Sequence, residues 1–345
     1  MMIKRFLCAF TGQAPVALQR HKTACRLVKE LGAHTMGLGG SGAVGKAYSP
    51  RENRELRTFF WHSYVTDKHF VMRTGIEPLL PDSICDLTLP DEYDLSRWHP
   101  LPEFKDGVTP LLPYGVLSPC LVGDIQLSIL KSKVWRLLYS AEARQRSEAE
   151  LLWAIRELDG ELEAWRISIP TKVRPTFLIA DKRQISPPET DMSHWVRHHA
   201  TTLHLEYHHL FITIHQASAR YQFSKGPDSL ENAWRSAGVQ SSIALALEAS
   251  RSTLLYLETV LDQLAKEMFW ICIHYPVIAL RTLFVNIMAN PSGPDVKSDL
   301  ELICSTASLI ERMPMSNRLI HGKVYIEKIE EEISGMVACV RSLKG

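Results

Sequence analysis

The chain has 345 residues, 46% of them hydrophobic, enough to bury a large core as one big domain or two of ordinary size. Its formal net charge is +1, and Lys and Arg are spread among Glu and Asp, which excludes a global basic field that would draw it to nucleic acid. The seven cysteines (Cys8, Cys25, Cys85, Cys120, Cys272, Cys304, Cys339) never fall within four residues of one another, which excludes the paired C-x2-C turns of a cysteine-rich zinc site and suits reduced intracellular thiols.

The N-terminal apolar run from Phe6 to Phe10 is cut off by Thr11-Gly12-Gln13, too short for the roughly 7–15 apolar residues of a signal peptide. Val16 to Leu31 reads as a helix, with Leu18, Cys25, Leu27, Val28 and Leu31 apolar and Gly32 as its stop. The glycine-rich stretch from Gly37 to Gly45 is a predicted loop. Within it, Gly40 to Ala47 nearly spells a phosphate-binding loop, but Ala47 replaces the Ser or Thr that would hold magnesium, and no strand precedes it. Ser49-Pro50-Arg51-Glu52 is a capping box opening a helix that runs to about Arg73. Leu56, Phe60, Tyr64 and Val71 share one face of it. Asp67 lies on the same broad face, where a buried carboxylate needs a partner; Arg57 and Arg73 are the candidates, and the expected role is structural. Residues 74–119 hold eight prolines and read as a long extended segment.

Helices resume from Leu121 to Tyr139 and from the capping box at Ser147-Glu148-Ala149-Glu150 to about Trp165. Residues 172–192 read as a polar, flexible insertion. His194 to Gln216 is helical, and Asp228 caps a helical stretch through Ala249. Further helices are expected at 252–264, 268–289, 298–312 and 324–343. Met268 to Ala289 is the most apolar stretch, but His274, Pro276 and Arg281 within it favour a buried helix over a membrane span, and its Met268 to Phe284 part reads as core helix ahead of a ligand wall. With no strand alternation and no internal repeat, the fold class is all-α.

The chemistry-bearing groups are few. His194, His198, His199, His204, His208, His209 and His215 crowd one helix. The i,i+4 spacing of His204 and His208 makes them the candidate metal ligands, against the plainer reading of packed and solvated histidines. No Glu follows the first His as in a hydrolytic H-E-x-x-H motif, and no G-x-S-x-G elbow occurs. Cys85 reads as an ordinary packed thiol. Neither an enzyme nor a bound cofactor is expected.

The stretch from Arg57 to Lys68 (Arg-Thr-Phe-Phe-Trp-His-Ser-Tyr-Val-Thr-Asp-Lys) resembles the most characteristic helix of the fungal-specific transcription factor domain, the regulatory middle region of fungal binuclear zinc-cluster transcription factors. The matching motif residues are Arg57, Phe60, Trp61, Tyr64 and Asp67, then Arg73, Gly75, Pro78, Pro81 and Asp82, and finally Pro90. The helix from Ala24 to His34, the element Leu162, Trp165 and Pro170, the helix Leu203 to His215, and Glu248 to Arg251 are similar to further family elements in the same order. The resemblance covers most of the chain.

It implies one all-α regulatory domain over 1–345. The six-cysteine zinc cluster, basic linker and coiled coil that usually accompany the family are not in this sequence, and the region before the motif is shorter than usual, so the domain is expected to be N-terminally incomplete. The implied function is transcription regulation through an effector-responsive helical region, in the setting of a metabolic or secondary-metabolite gene cluster. The alternative is an interaction or small-molecule-sensing module that does not bind DNA. Implied partners are a second copy, a full-length regulator or a small-molecule effector, with DNA only through the family and no membrane. The implied location is the nucleus, with the cytoplasm second.

Overall fold

The computed structural model describes residues 14–35, 48–90, 93, 123–177, 194–219, 237–264, 269–313 and 320–342, and every regular element among them is helical. In chain order these are α1 (Ala14–Glu30), α2 (Pro50–Thr74), α3 (Ile125–Val134), α4 (Glu148–Ser168), α5 (His194–Gln216), α6 (Ala237–Val260), α7 (Phe269–Cys272), α8 (His274–Ala289), α9 (Val296–Arg312) and α10 (Ile320–Ser342). The predicted loop at 37–45 and the predicted cap at Asp228 lie outside the described residues.

Local chemistry explains most boundaries. Both predicted capping boxes are present: the Ser49 hydroxyl accepts from Glu52 N, the Glu52 carboxylate accepts from Ser49 N, and Ser147 and Glu150 repeat the arrangement. α2 ends at Gly75, whose left-handed φ of 68° lets its N–H close onto Val71 O. Replacing Ser49 with alanine should destabilise the fold by about 1 kcal/mol, the usual loss for a serine cap; a urea midpoint unchanged from the parent protein would show that α2 is held by packing alone.

Two boundaries differ from the sequence reading. The break expected between Ala249 and Ser252 does not occur, and α6 runs straight through. There Ser250 donates to Ala246 O and Thr253 to Ala249 O, so the hydroxyls bond back to their own helix instead of ending it. Conversely, the helix expected over 268–289 is divided into α7 and α8. Pro276 has no N–H to give the carbonyl of Cys272, and it sits in the first turn of α8, where that loss is harmless.

Three apolar clusters form the core. α1 and α2 enclose the first, with Val28, Phe60, Trp61, Tyr64, Leu80 and Ile125. α3, α4 and α5 enclose the second, and α6, α8, α9 and α10 the third. α5 lies between them and is buried around its circumference from Ala200 to Ile212. Phe269–Ala289 is long and apolar enough to cross a membrane; here α8 packs against α5, α6, α9 and α10.

The proline-rich segment is described as far as Pro90 and at Tyr93. Up to there its one regular element among the described residues is a 3-10 turn, Asp82–Ile84, and residues 94–122 lie outside the described residues, so the expected extended run over 74–119 is not shown. The flexible insertion read at 172–192 begins in ordered structure: Val173 is buried, and the Phe177 ring lies 5.2 Å from Tyr207 and 4.7 Å from Phe211. Residues 178–193 lie outside the described residues.

Candidate functional site

α2 carries the site. Its buried face places Phe60, Trp61 and Tyr64 in mutual ring contact, with centroids 4.9 to 5.7 Å apart. The Arg57 guanidinium lies over Phe60 at 4.6 Å and Trp61 at 4.9 Å. Its Nη2 donates to Asp86 O at 2.7 Å and Thr88 O at 2.9 Å, so Arg57 pins the segment that follows α2, residues 78–90 (the strap), to the helix. The Tyr64 hydroxyl donates to Asp82 Oδ1 at 2.7 Å, and Ser132 of α3 donates to the same oxygen. Burial and the Asp82 charge push the Tyr64 hydroxyl far above the ordinary tyrosine value.

Asp67 and Lys68 form the inner end of this face, and both are essentially sealed from solvent. Lys68 Nζ donates to Leu80 O at 2.6 Å, lies 4.4 Å from the Tyr64 ring centre, and sits 3.4 Å from Asp67 Oδ2 and 3.8 Å from Asp82 Oδ1. Asp67 accepts Leu79 N–H on Oδ1 and Leu80 N–H on Oδ2, each at 3.1 Å. His21 Nε2 of α1 is 3.1 Å from Asp67 Oδ1, and Cys25 Sγ is 3.3 Å from that same nitrogen. Burial alone would raise the Asp67 carboxyl. The His21 contact, the Lys68 charge and the Leu80 N–H outweigh it and hold the group below its ordinary value.

Asp67 therefore joins α1, α2 and the strap, but its partner is neither Arg57 nor Arg73. Arg57 serves the strap. Arg73 reaches across the fold to Trp270 O and Ile271 O, carbonyls of α7, and lies 5.4 Å from the Tyr275 ring centre. The remaining motif residues shape the backbone. Gly75 ends α2, Pro78 is half-buried in the strap, Pro81 precedes the 3-10 turn that presents Asp82, and Pro90 O accepts Tyr93 N–H.

A second polar cluster, missed in the sequence, lies where α2, α3, α5 and α8 meet. Lys131 and Glu206 are each 1% exposed, and the Lys131 ammonium touches Glu206 Oε2. The Tyr275 hydroxyl donates to Glu206 Oε1, and His69 Nδ1 lies 3.2 Å from it. Burial, helped by the Arg73 charge, pushes the Lys131 ammonium down to about 7, against the opposing charge of Asp124. Beside it, His209 Nε2 and His274 Nε2 are 3.4 Å apart. The available signal was a charge inside an apolar helical run, Glu206 between Leu205 and Tyr207 and Lys131 next to Leu130. A third node is Asp124, which caps α3 by accepting Leu127 N–H and also accepts Trp165 Nε1 at 2.8 Å and the Tyr93 hydroxyl at 2.5 Å. It accounts for the motif residue Trp165.

His204 and His208 are buried on α5 but engaged separately. His204 stacks on Tyr256 with ring centres 4.5 Å apart, and its Nδ1 is 3.4 Å from Ala200 O. His208 Nε2 is 2.9 Å from Thr176 O. The two rings stand at 82° with centres 6.2 Å apart. Among the described residues no further ligand joins them, whereas His21, Cys25 and Asp67 do converge. Burial first, and for His204 also the charge of His208, lowers His204 to about 3 and His208 to about 4. Burial likewise pushes the Cys85 thiol up to about 12, which marks it as a packed thiol.

Clefts open on the surface among the described residues. One of about 410 Å³ lies between α3 and α4 beside Lys133, Glu161 and Trp165. Another, of about 370 Å³, lies between α5, α6 and α8, with apolar walls from Leu247, Ile278 and Val285 and polar groups from Gln216, Arg281 and Thr282.

Residues 6–167 match the family profile of the fungal specific transcription factor domain. Over 286 residues, 81% of the chain, the sequence is 30% identical to an ABC-transporter-regulating transcription factor of Aspergillus fumigatus and 29% identical to one of Aspergillus oryzae. It is 23% identical over 316 residues, 90% of the chain, to an uncharacterised transcriptional regulatory protein of Schizosaccharomyces pombe. The matched region spans 29% of each Aspergillus protein and 37% of the Schizosaccharomyces protein. No solved structure matches the chain.

Proposed function

We propose, from the match of residues 6–167 to the fungal specific transcription factor domain family, that this chain is the helical regulatory region of a transcription regulator. The observation that supports this reading most is the family match over residues 6–167, which includes α2, whose Arg57, Tyr64, Asp67 and Lys68 each hold the strap against the helix. A rigid scaffold of that kind can pass a bound partner's or effector's influence to an attached or associated DNA-binding segment. The proposed location is the nucleus. The names of the two Aspergillus relatives make transporter genes the first targets to examine. No catalytic step is part of this reading.

A second reading, effector sensing, is favoured by the cleft between α5, α6 and α8. Its volume of about 370 Å³ and its apolar walls with a few polar groups suit a small ligand.

The test is a reporter assay with the chain fused to a heterologous DNA-binding domain, paired with transcript profiling after deletion of its gene. We expect the fusion to change reporter output several-fold relative to the DNA-binding domain alone, and Arg57→Ala to weaken that change. Unaltered reporter output together with an unaltered transcript profile would remove the proposal.

A further inference from the structure

One imidazole nitrogen at the heart of the fold faces two partners at once. His21 and Cys25 stand four residues apart on α1 and therefore share a face. α1 packs on α2, which presents Asp67 to both. All three side chains are sealed: His21 is 0% exposed, Cys25 2% and Asp67 1%. His21 Nε2 is 3.1 Å from Asp67 Oδ1 and 3.3 Å from Cys25 Sγ, and the three ligand atoms lie within 4.8 Å of one another. A single ring nitrogen carries either a proton or a lone pair. If it donates to Asp67, the thiol is left with the other ring nitrogen, Nδ1, at a long 3.9 Å, and if it accepts from the thiol it faces the carboxylate lone pair to lone pair. A cation at the centre of the triangle satisfies all three atoms together.

We propose that His21, Cys25 and Asp67 form a site for one divalent transition-metal ion, with zinc as the best match to the donor set. Nitrogen, thiolate sulfur and carboxylate oxygen are the three ligand types zinc takes, at about 2.0–2.1, 2.3 and 2.0–2.2 Å, and a tetrahedron of those radii has edges of about 3.3–3.6 Å. The two edges that meet at His21 Nε2, 3.1 and 3.3 Å, are within a few tenths of an ångström of that, and the third, from Cys25 Sγ to Asp67, lies within 4.8 Å and closes as the ion is ligated. The charges balance. Asp67 enters as a carboxylate, His21 as a neutral imidazole giving its Nε2 lone pair, and the Cys25 S–H bond breaks as the metal–sulfur bond forms, releasing one proton to solvent. Thiolate and carboxylate together neutralise the ion. Lys68 is on the far side of the carboxylate, 3.4 Å from Oδ2, with Asp82 as its counter-charge at 3.8 Å. The backbone N–H groups of Leu79 and Leu80 orient Asp67 as an outer shell. Among the described residues no fourth His, Cys, Asp or Glu ligand atom joins the three. The site would lock α1 and the strap to α2. It differs from a six-cysteine cluster in ligands and position, and it stands whether or not the chain regulates transcription.

The test titrates the full chain, first stripped with a chelator, with cobalt chloride and then with zinc chloride. We expect one cobalt per chain, with visible d–d bands and a thiolate-to-cobalt charge-transfer band that one equivalent of zinc abolishes. Cys25→Ser should lose the charge-transfer band, while His204→Ala/His208→Ala should keep it. Should Cys25→Ser fail to fold, zinc-edge X-ray absorption of the wild-type protein decides, with one sulfur at about 2.3 Å and the remaining ligands N or O. No stoichiometric binding, a band that survives Cys25→Ser, a band lost in the double histidine variant, or a zinc shell without sulfur would each overturn the proposal.

Discussion

Lowering the pH from 7 to 5 should cost this protein about 4 kcal/mol of stability through His204 and His208 alone. In the unfolded chain each takes up a proton near the ordinary value of about 6.5. In the folded chain burial holds them neutral until about 3 and about 4. Between those limits the unfolded state binds more protons, so stability is complete above 6.5 and is lost as pH falls toward 4. Each histidine contributes up to about 1.4 kcal/mol per pH unit in that window. His69 and His209 are also held well below the ordinary value, by burial first and then by Arg73 and Lys131, and His274 shifts the same way, so the measured loss should exceed the figure for two. Against a typical net stability of about 5–15 kcal/mol, this is enough to unfold much of the population near pH 5. Urea midpoints at pH 7, 6 and 5 measure it. Most carboxylates stay ionised over that range, so the slope reports the histidines with a smaller share from Lys131, which burial and Arg73 hold at about 7. A flat stability profile from pH 7 to 5 would show that these imidazoles reach water.

Removing one member of the Lys131–Glu206 pair should be as damaging. Glu206→Ala leaves the Lys131 ammonium buried beside Arg73 without its carboxylate, and takes the acceptor from Tyr275. Breaking a buried pair in this way typically costs about 3–5 kcal/mol. Most of that loss is the stranded charge rather than a lost attraction. The triple change Lys131→Met, Glu206→Leu and Tyr275→Phe removes charge, counter-charge and donor together, and should restore most of the stability lost in Glu206→Ala. Denaturant unfolding of the two variants against the parent gives the comparison. A Glu206→Ala loss under about 1 kcal/mol, or a triple variant worse than the single one, would mean that water already solvates this cluster.

What the sequence determined by itself was whatever three or four neighbouring residues decide. The capping boxes at Ser49 and Ser147 and the all-α class follow from groups that satisfy their own helix, and the structure shows each of them. The motif from Arg57 to Pro90 was legible as a family signature for the same reason, since its parts lie close in the chain. Tertiary structure alone decided the partners of the buried charges. Asp67 meets His21, 46 residues away, and not Arg57 or Arg73, because its place on the α2 face turns it toward α1. Lys131 and Glu206 come from different helices, and nothing in either local sequence names the other. The spacing of His204 and His208 put both on α5, but Tyr256 and Thr176 turn their nitrogens apart, while His21, Cys25 and Asp67 converge. The physical reason is the same throughout. A helix cap is satisfied within one turn, whereas a buried ion or imidazole must find its partner wherever packing brings one, and packing is a property of the whole chain.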